Sequence, residues 1–198
     1  MLGRRRPAAL ADRAADRAPD LASPMEAWRT WLVVDDCGAL RLASVMFAAT
    51  WPPGDPIQAL CRPQPYGWPG LVDLGARHRA PHPGCRCGIY GATRPGLAAS
   101  YLDKAGPLAG EVAWSVIGRV SLWGLIVEAE QGFRATYAYP KALFVPRLRL
   151  VPKRSRRAGR LLIDANQVAA ALAAYRVPVA VLDTSTAAGC ADALASLG

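Results

Sequence analysis

The chain has 198 residues, a formal net charge of +9 and 52% hydrophobic residues, with 18 glycines and 17 prolines. That length supports one core of ordinary size with arms to spare, and the Gly and Pro content divides the apolar residues among many short elements. No apolar run reaches the roughly 18 to 20 residues of a bilayer-crossing helix, because Asp35, Asp36 and Arg41 interrupt Leu32 to Trp51, and the mixed Ala, Asp and Arg after Arg4 to Arg6 do not make a signal core. Residence in the reducing cytoplasm, away from membranes, is the expectation.

Residues 1–24 mix alanine, arginine and aspartate with no aromatic or β-branched side chain, and cannot bury enough apolar surface to offset their ordering entropy. They read as a disordered Arg/Ala-rich arm. From 25 to 152 the pattern predicts a Trp-rich β core. It opens with a hairpin over Glu26 to Val45 around the turn Asp35-Asp36-Cys37-Gly38, and a proline-broken loop follows at Trp51 to Pro56. Residues 62–110 are rich in Pro and Gly, and an irregular segment of that length implies a functional loop or an added cross-link.

Glu111 to Tyr139 gives the clearest strand signal. Val112, Trp114, Val116, Gly118, Val120 and Leu122 alternate along one face, Glu130-Gln131-Gly132 turns, and Phe133, Ala135 and Tyr137 return with Arg134 and Thr136 between them. Gly118 and Gly124 inside that pattern mark bulges or bends that would curl the ribbon. A further strand is expected at Leu143 to Val151. A basic connector covers 153–160, and 161–198 reads as a small α/β appendage with a helix over Asn166 to Tyr175, a strand over Val177 to Val181 and a helix from Ala187 to Leu197. The fold class predicted is α+β, mainly β: a small twisted or partly closed antiparallel sheet, a half-barrel, with that appendage at its C-terminus.

Three constellations bear on chemistry. Cys61, His78, His82, Cys85 and Cys87 gather in and beside the Pro/Gly-rich segment, and the odd total of five cysteines does not suggest a disulfide framework. Zn²⁺ takes four such ligands in a tetrahedron and could fix a loop that lacks a core. The set expected is Cys61, His82, Cys85 and Cys87, although Cys85-x-Cys87 is tighter than the usual C-x2-C knuckle. Buried thiols with solvated histidines would give the same sequence. A nucleophilic Cys85 or Cys87 with His82 or His78 as its base is another alternative, with Arg77, Arg79 and Arg86 supplying a positive field.

Tryptophans form the second feature. Trp31, Trp114 and Trp123 fit strand patterns, whereas Trp51 and Trp68 adjoin prolines and are expected at the surface, walling a site for a partner. The third is basic charge: Arg86, Arg134, Lys153, Arg154, Arg156 and Arg157, which with Trp51 and Trp68 would face phosphates or an acidic protein. Signatures of P-loop, dinucleotide-binding, HExxH and GxSxG enzymes do not occur.

The strings Cys85-Arg-Cys87-Gly88-Ile89-Tyr90, Val116-Ile-Gly118-Arg-Val120-Ser-Leu122-Trp123-Gly124, Gly132-Phe-Arg134-Ala135 and Ala138-Tyr139-Pro140 resemble a family of uncharacterised proteins common in high-GC Gram-positive bacteria. Trp51, Cys61 and Tyr175-Arg176-Val177-Pro178-Val179 extend the likeness over residues 26–182. It implies a bacterial cytosolic protein and carries no reaction with it. Taken together, the sequence points to a non-enzymatic module that binds a nucleic acid or acidic protein, with a structural zinc loop. A small cysteine-dependent hydrolase or thiol enzyme and an accessory protein stand as alternatives.

Overall fold

The structure is a computed structural model that describes residues 23–46, 49–61, 78–104, 112–147, 163–184 and 186–196. The N-terminal arm expected over 1–24 falls almost wholly outside the described residues, and the connector 153–160 falls entirely outside them.

Strand β1 (Met25–Asp36) and β2 (Ala39–Ser44) form the first hairpin. Its two-residue turn places Cys37 at φ 54° and Gly38 at φ 85°. Two successive positive φ values match the twist of the flanking strands, and glycine meets that demand without a Cβ clash. The Asp35 carboxylate fastens the turn by accepting from the Gly38 N–H at 2.7 Å. β3 (Thr50–Trp51) extends the sheet beyond β2.

The long hairpin is present. β6 (Val112–Ala129) and β7 (Gly132–Pro146) pair across the expected turn, and their register shifts between Arg119 and Val120 and between Trp123 and Ile126, beside Gly118 and Gly124 respectively. Pro140 lies at the first shift, and β7 continues through it. The separate strand expected at Leu143 to Val151 is thus corrected: Leu143 to Pro146 are the end of β7, because the bulge lets the ladder pass a residue with no N–H to donate.

One edge of β7 pairs with β6. Its other edge is shared along its length by β5 (Ile89–Ala92), β4 (Ile57–Gln58) and β8 (Val179–Leu182). β1 also pairs with β6, and β5 touches β1 at Trp28 and Ala92. The path β1–β6–β7–β5 therefore returns to β1, making one mixed sheet of 8 strands that is partly ringed without closing as a barrel. β8 is the parallel member.

Trp31, Val33, Leu42, Trp114, Val116, Val120, Leu122, Leu143 and Val145 fill the main core. Burying one side chain of this size contributes about 1.5 to 3 kcal/mol, so these residues together are a large favourable contribution to the sheet's stability. Helix α2 (Ala165–Leu172) packs on the same core and starts at a capping box, Asp164 with Gln167, in which each side chain accepts from the other's backbone N–H at 2.8 Å. The chain then tightens through a single 3-10 turn, Ala173–Tyr175. Tyr175 is fully buried; its hydroxyl accepts from the Leu42 N–H at 2.8 Å and donates to the Trp51 carbonyl at 2.6 Å. On the opposite face α1 (Pro95–Ala99) and α3 (Ala187–Ala195) pack with Trp28, Leu102, Ile117, Cys190 and Leu194.

Candidate metal centre

Residues 78–88 contain no strand or helix, and β7 holds them. The Thr136 hydroxyl donates to the Ala80 carbonyl at 2.8 Å, and one guanidinium nitrogen of Arg134 reaches the carbonyls of His82 (3.4 Å), Cys85 and Cys87 (3.0 Å). The Cys85 N–H closes the turn on the His82 carbonyl at 3.0 Å. Gly88 leaves the segment at φ 120°, where a Cβ would lie 3.0 Å from both the Arg134 and the Pro81 Cβ atoms, so only glycine lets the chain pass here. β4 brings the other side: the Ala59 N–H donates to the Thr136 carbonyl at 2.7 Å, which delivers Cys61 beside the loop.

The result is a group of four side chains, Cys61, His78, Cys85 and Cys87, whose ligand atoms all lie within 4.8 Å of one another and could hold a metal ion. The Cys61 and Cys85 sulfurs are 3.9 Å apart, and the His78 Nε2 is 3.3 Å from the Cys87 sulfur. In a tetrahedron with metal–sulfur bonds near 2.3 Å and metal–nitrogen bonds near 2.05 Å, edges are about 3.8 Å between sulfurs and about 3.5 Å from sulfur to nitrogen. These two edges lie near those values, and the wider pairs of the group, up to 4.8 Å, would have to close a little around an ion.

Protonation follows from the crowding. Burial, and then the bond to Cys85, push the Cys61 thiol up to about 12. Burial and the Cys85 neighbour likewise raise Cys87. At Cys85 burial also opposes ionisation, but the Cys87 backbone N–H, the Cys87 and Cys61 thiols and the Arg86 backbone N–H outweigh it and hold this thiol below the ordinary range. Cys85 is thus the thiol of the three that its neighbours favour for ionisation. A divalent cation would draw the remaining protons off.

The expected ligand set changes by one member. His78 is the imidazole within the group; the His82 ring lies tilted beside it at 4.7 Å between centroids and its Nδ1 accepts from the Gly84 N–H at 3.2 Å. Spacing does not decide between two histidines four apart in a loop; the local turn does, by engaging His82 with Gly84.

The expected partner surface is rearranged more deeply. Trp51 is 1% exposed and offers no face to a ligand. It lies edge-on to Trp31 at 5.5 Å, donates from its indole N–H to the Ser44 hydroxyl at 3.1 Å, and is covered by the Arg29 guanidinium at 5.0 Å. The prolines that follow it break the strand without lifting the ring out of the core. Arg134 is 9% exposed and Thr136 3%, so the polar side of β7 is buried under the loop. Arg86 is exposed, whereas Trp68, Lys153, Arg154, Arg156 and Arg157 lie outside the described residues. Two participants were not anticipated. Thr136 reads as a solvated strand residue, and Tyr90, 46% exposed beside Arg86 and Arg134, follows the C-x-C string without any motif of its own.

No family model matches the chain, and neither a curated protein nor a solved structure is significantly similar to it. The site is therefore interpreted from its own geometry. Among the described residues no helix is long and apolar enough to cross a membrane.

Proposed function

We propose that the protein is a binding module built around one structural zinc ion, held by Cys61, His78, Cys85 and Cys87. The observation that carries this reading is the mutual approach of four soft or borderline ligand atoms within 4.8 Å, contributed by two separate stretches of chain. Four protein ligands complete zinc's tetrahedron and leave no position for substrate, which is the pattern of a structural site. The compactness favours a single ion over an iron–sulfur cluster, whose opposite ligands stand apart by the width of the cluster. The Arg134 contacts to two ligand backbones supply the outer support that metal sites use to orient their ligands.

The loop so fixed presents Tyr90 with the exposed Arg79 and Arg86, in a chain of net charge +9. An aromatic ring among guanidiniums suits a nucleic acid, by stacking and phosphate contact, and this is the partner class the reading favours. Metal analysis of protein purified without chelators should give one zinc per chain, and X-ray absorption should show three sulfur neighbours and one nitrogen. Cys85→Ser should lower the zinc content. Binding to labelled single-stranded oligonucleotides should weaken steeply as salt rises; affinity independent of salt would remove the nucleic-acid part and leave the metal part intact.

One contact favours a second reading, a cysteine-dependent enzyme: the 3.3 Å approach of His78 to Cys87 resembles a thiol with its base. Burial raises that thiol, against the needs of a nucleophile. Fast alkylation of Cys87 in metal-free protein near neutral pH would support it over the structural reading.

A further inference from the structure

The geometry points to a redox-controlled metal site, in which a peroxide oxidises Cys61 and Cys85 to a disulfide and expels the ion. This rests on the metal reading above and adds its regulation. The two sulfurs lie 3.9 Å apart, so rotation about side-chain bonds has to close a gap of under about 2 Å to reach a disulfide. They come from stretches 24 residues apart in sequence, so the bond closes a wide loop. The competing Cys85–Cys87 bond would close a small strained ring, and Arg134 opposes it by fixing both of those residues' carbonyls. Oxidant has a route in. Cys61 and His78 line a cavity of about 330 Å³ with Gln58, Arg79 and Thr136, and a molecule the size of water occupies only about 30 Å³.

One thiolate sulfur attacks a peroxide oxygen; the O–O bond breaks, a sulfenic acid forms, and the leaving hydroxide takes up a proton as water. The second thiolate attacks the sulfenic sulfur; the S–S bond forms and hydroxide leaves, again protonated to water. Two thiolates lose two electrons, hydrogen peroxide gains them, two protons are consumed and two waters form. Zinc departs because only His78 and Cys87 remain of its four ligands. The new bond keeps Cys61 tied to the loop while freeing those two residues, so the oxidised and metal-bound forms hold the Tyr90 surface differently.

The test treats zinc-loaded full-length protein with a molar excess of hydrogen peroxide, follows zinc with a chromogenic chelator, and maps linkages by mass spectrometry after thiol blocking and digestion. One zinc released for each pair of thiols lost, a Cys61–Cys85 linked peptide, and recovery with a dithiol reductant plus zinc are expected. Retained zinc overturns the proposal, as does release with a Cys85–Cys87 or Cys61–Cys87 bond or with over-oxidised single cysteines. The double variant Cys37→Ser, Cys190→Ser removes the cysteines outside the cluster and should respond like the parent; a lost response also overturns it. Protein that never binds zinc defeats the metal reading by itself. The thiol-pairing claim is then decided on the metal-free chain, where peroxide must still form the Cys61–Cys85 bond.

Discussion

The coiled sheet and the Cys/His segment share strand β7, yet opposite means hold them. Along β1, β6 and β7 the backbone groups pair in ladders and the side chains bury an apolar face. Between residues 78 and 88 there is no ladder, and the polar side chains Arg134 and Thr136 cross from β7 to satisfy the loop carbonyls. Where proline and glycine deprive a segment of regular pairing, its backbone acceptors still need donors. A strand that reaches out with a guanidinium can supply several at once. On this account the sheet should survive injuries that release the loop, and the loop should fail only locally.

The largest effect is expected from the sheet. Trp31 is fully buried against Trp51, and Trp31→Ala should lower unfolding free energy by about 3 to 5 kcal/mol in denaturant titration. Molecules that remain folded should keep the full metal stoichiometry. Next comes Arg134→Ala, which strips donors from three carbonyls at once. Hydrogen bonds to a charged group contribute about 1.5 to 3 kcal/mol each without adding fully, so a loss of about 3 kcal/mol is expected in the free energy that holds the loop closed on the sheet. Metal affinity should fall by about tenfold or more. Hydrogen exchange separates the two regions: residues 78–88 should lose protection in Arg134→Ala while β6 keeps it. Equal loss in both would join sheet and loop into one cooperative unit.

How legible each region was in the sequence follows from the same contrast. The sequence alternation that runs to Leu122 and the turn at Glu130 mark the long hairpin, although β6 is buried on both faces from Val112 to Ile117 and returns to a period of two only beyond Gly118. The same rule fails at Arg134 and Thr136, where polar spacing usually means solvent and here means a loop with carbonyls to satisfy. It fails at Trp51 as well: the neighbouring prolines mark the end of pairing but carry no information on which way the ring points. The Cys/His group was legible as a set of residue types. His78 and His82 could not be separated, since that choice depends on the Gly84 N–H engaging one ring.

A smaller effect tests how the C-terminal elements join the comparison. The Tyr175 hydroxyl links Leu42 in β2 to the Trp51 carbonyl, so it ties the last third of the chain to the first hairpin. Tyr175→Phe leaves both backbone groups short of a partner inside the core. A loss of about 1 to 2 kcal/mol is expected, read as a lower denaturant midpoint with an unchanged slope. Zinc content should not move, which would place this junction with the sheet and not with the loop.

Acid should produce the smallest change in the sheet and a much larger one in the loop. Glu26 on β1 pairs with Lys141 and with Arg119 at 3.4 Å, and the hydrogen bond from Lys141 holds its carboxyl below the usual range despite slight opposing desolvation. A carboxyl lowered on folding stabilises above its unfolded value and loses that contribution as pH falls through the folded one. The pair is largely exposed, so Glu26→Gln should cost no more than about 0.5 kcal/mol at neutral pH, and the difference from the parent should shrink as pH falls through the lowered folded value. The metal site has the same sign of dependence at higher pH. Cys61 and Cys87, both raised, would have to give up protons to hold the proposed zinc ion, so falling pH would return those protons and release it. Zinc should therefore leave, and the loop lose its exchange protection, before the sheet responds to Glu26. Coincident loss of zinc and of sheet structure down the pH scale would show that the ion stabilises the whole fold instead of the loop alone.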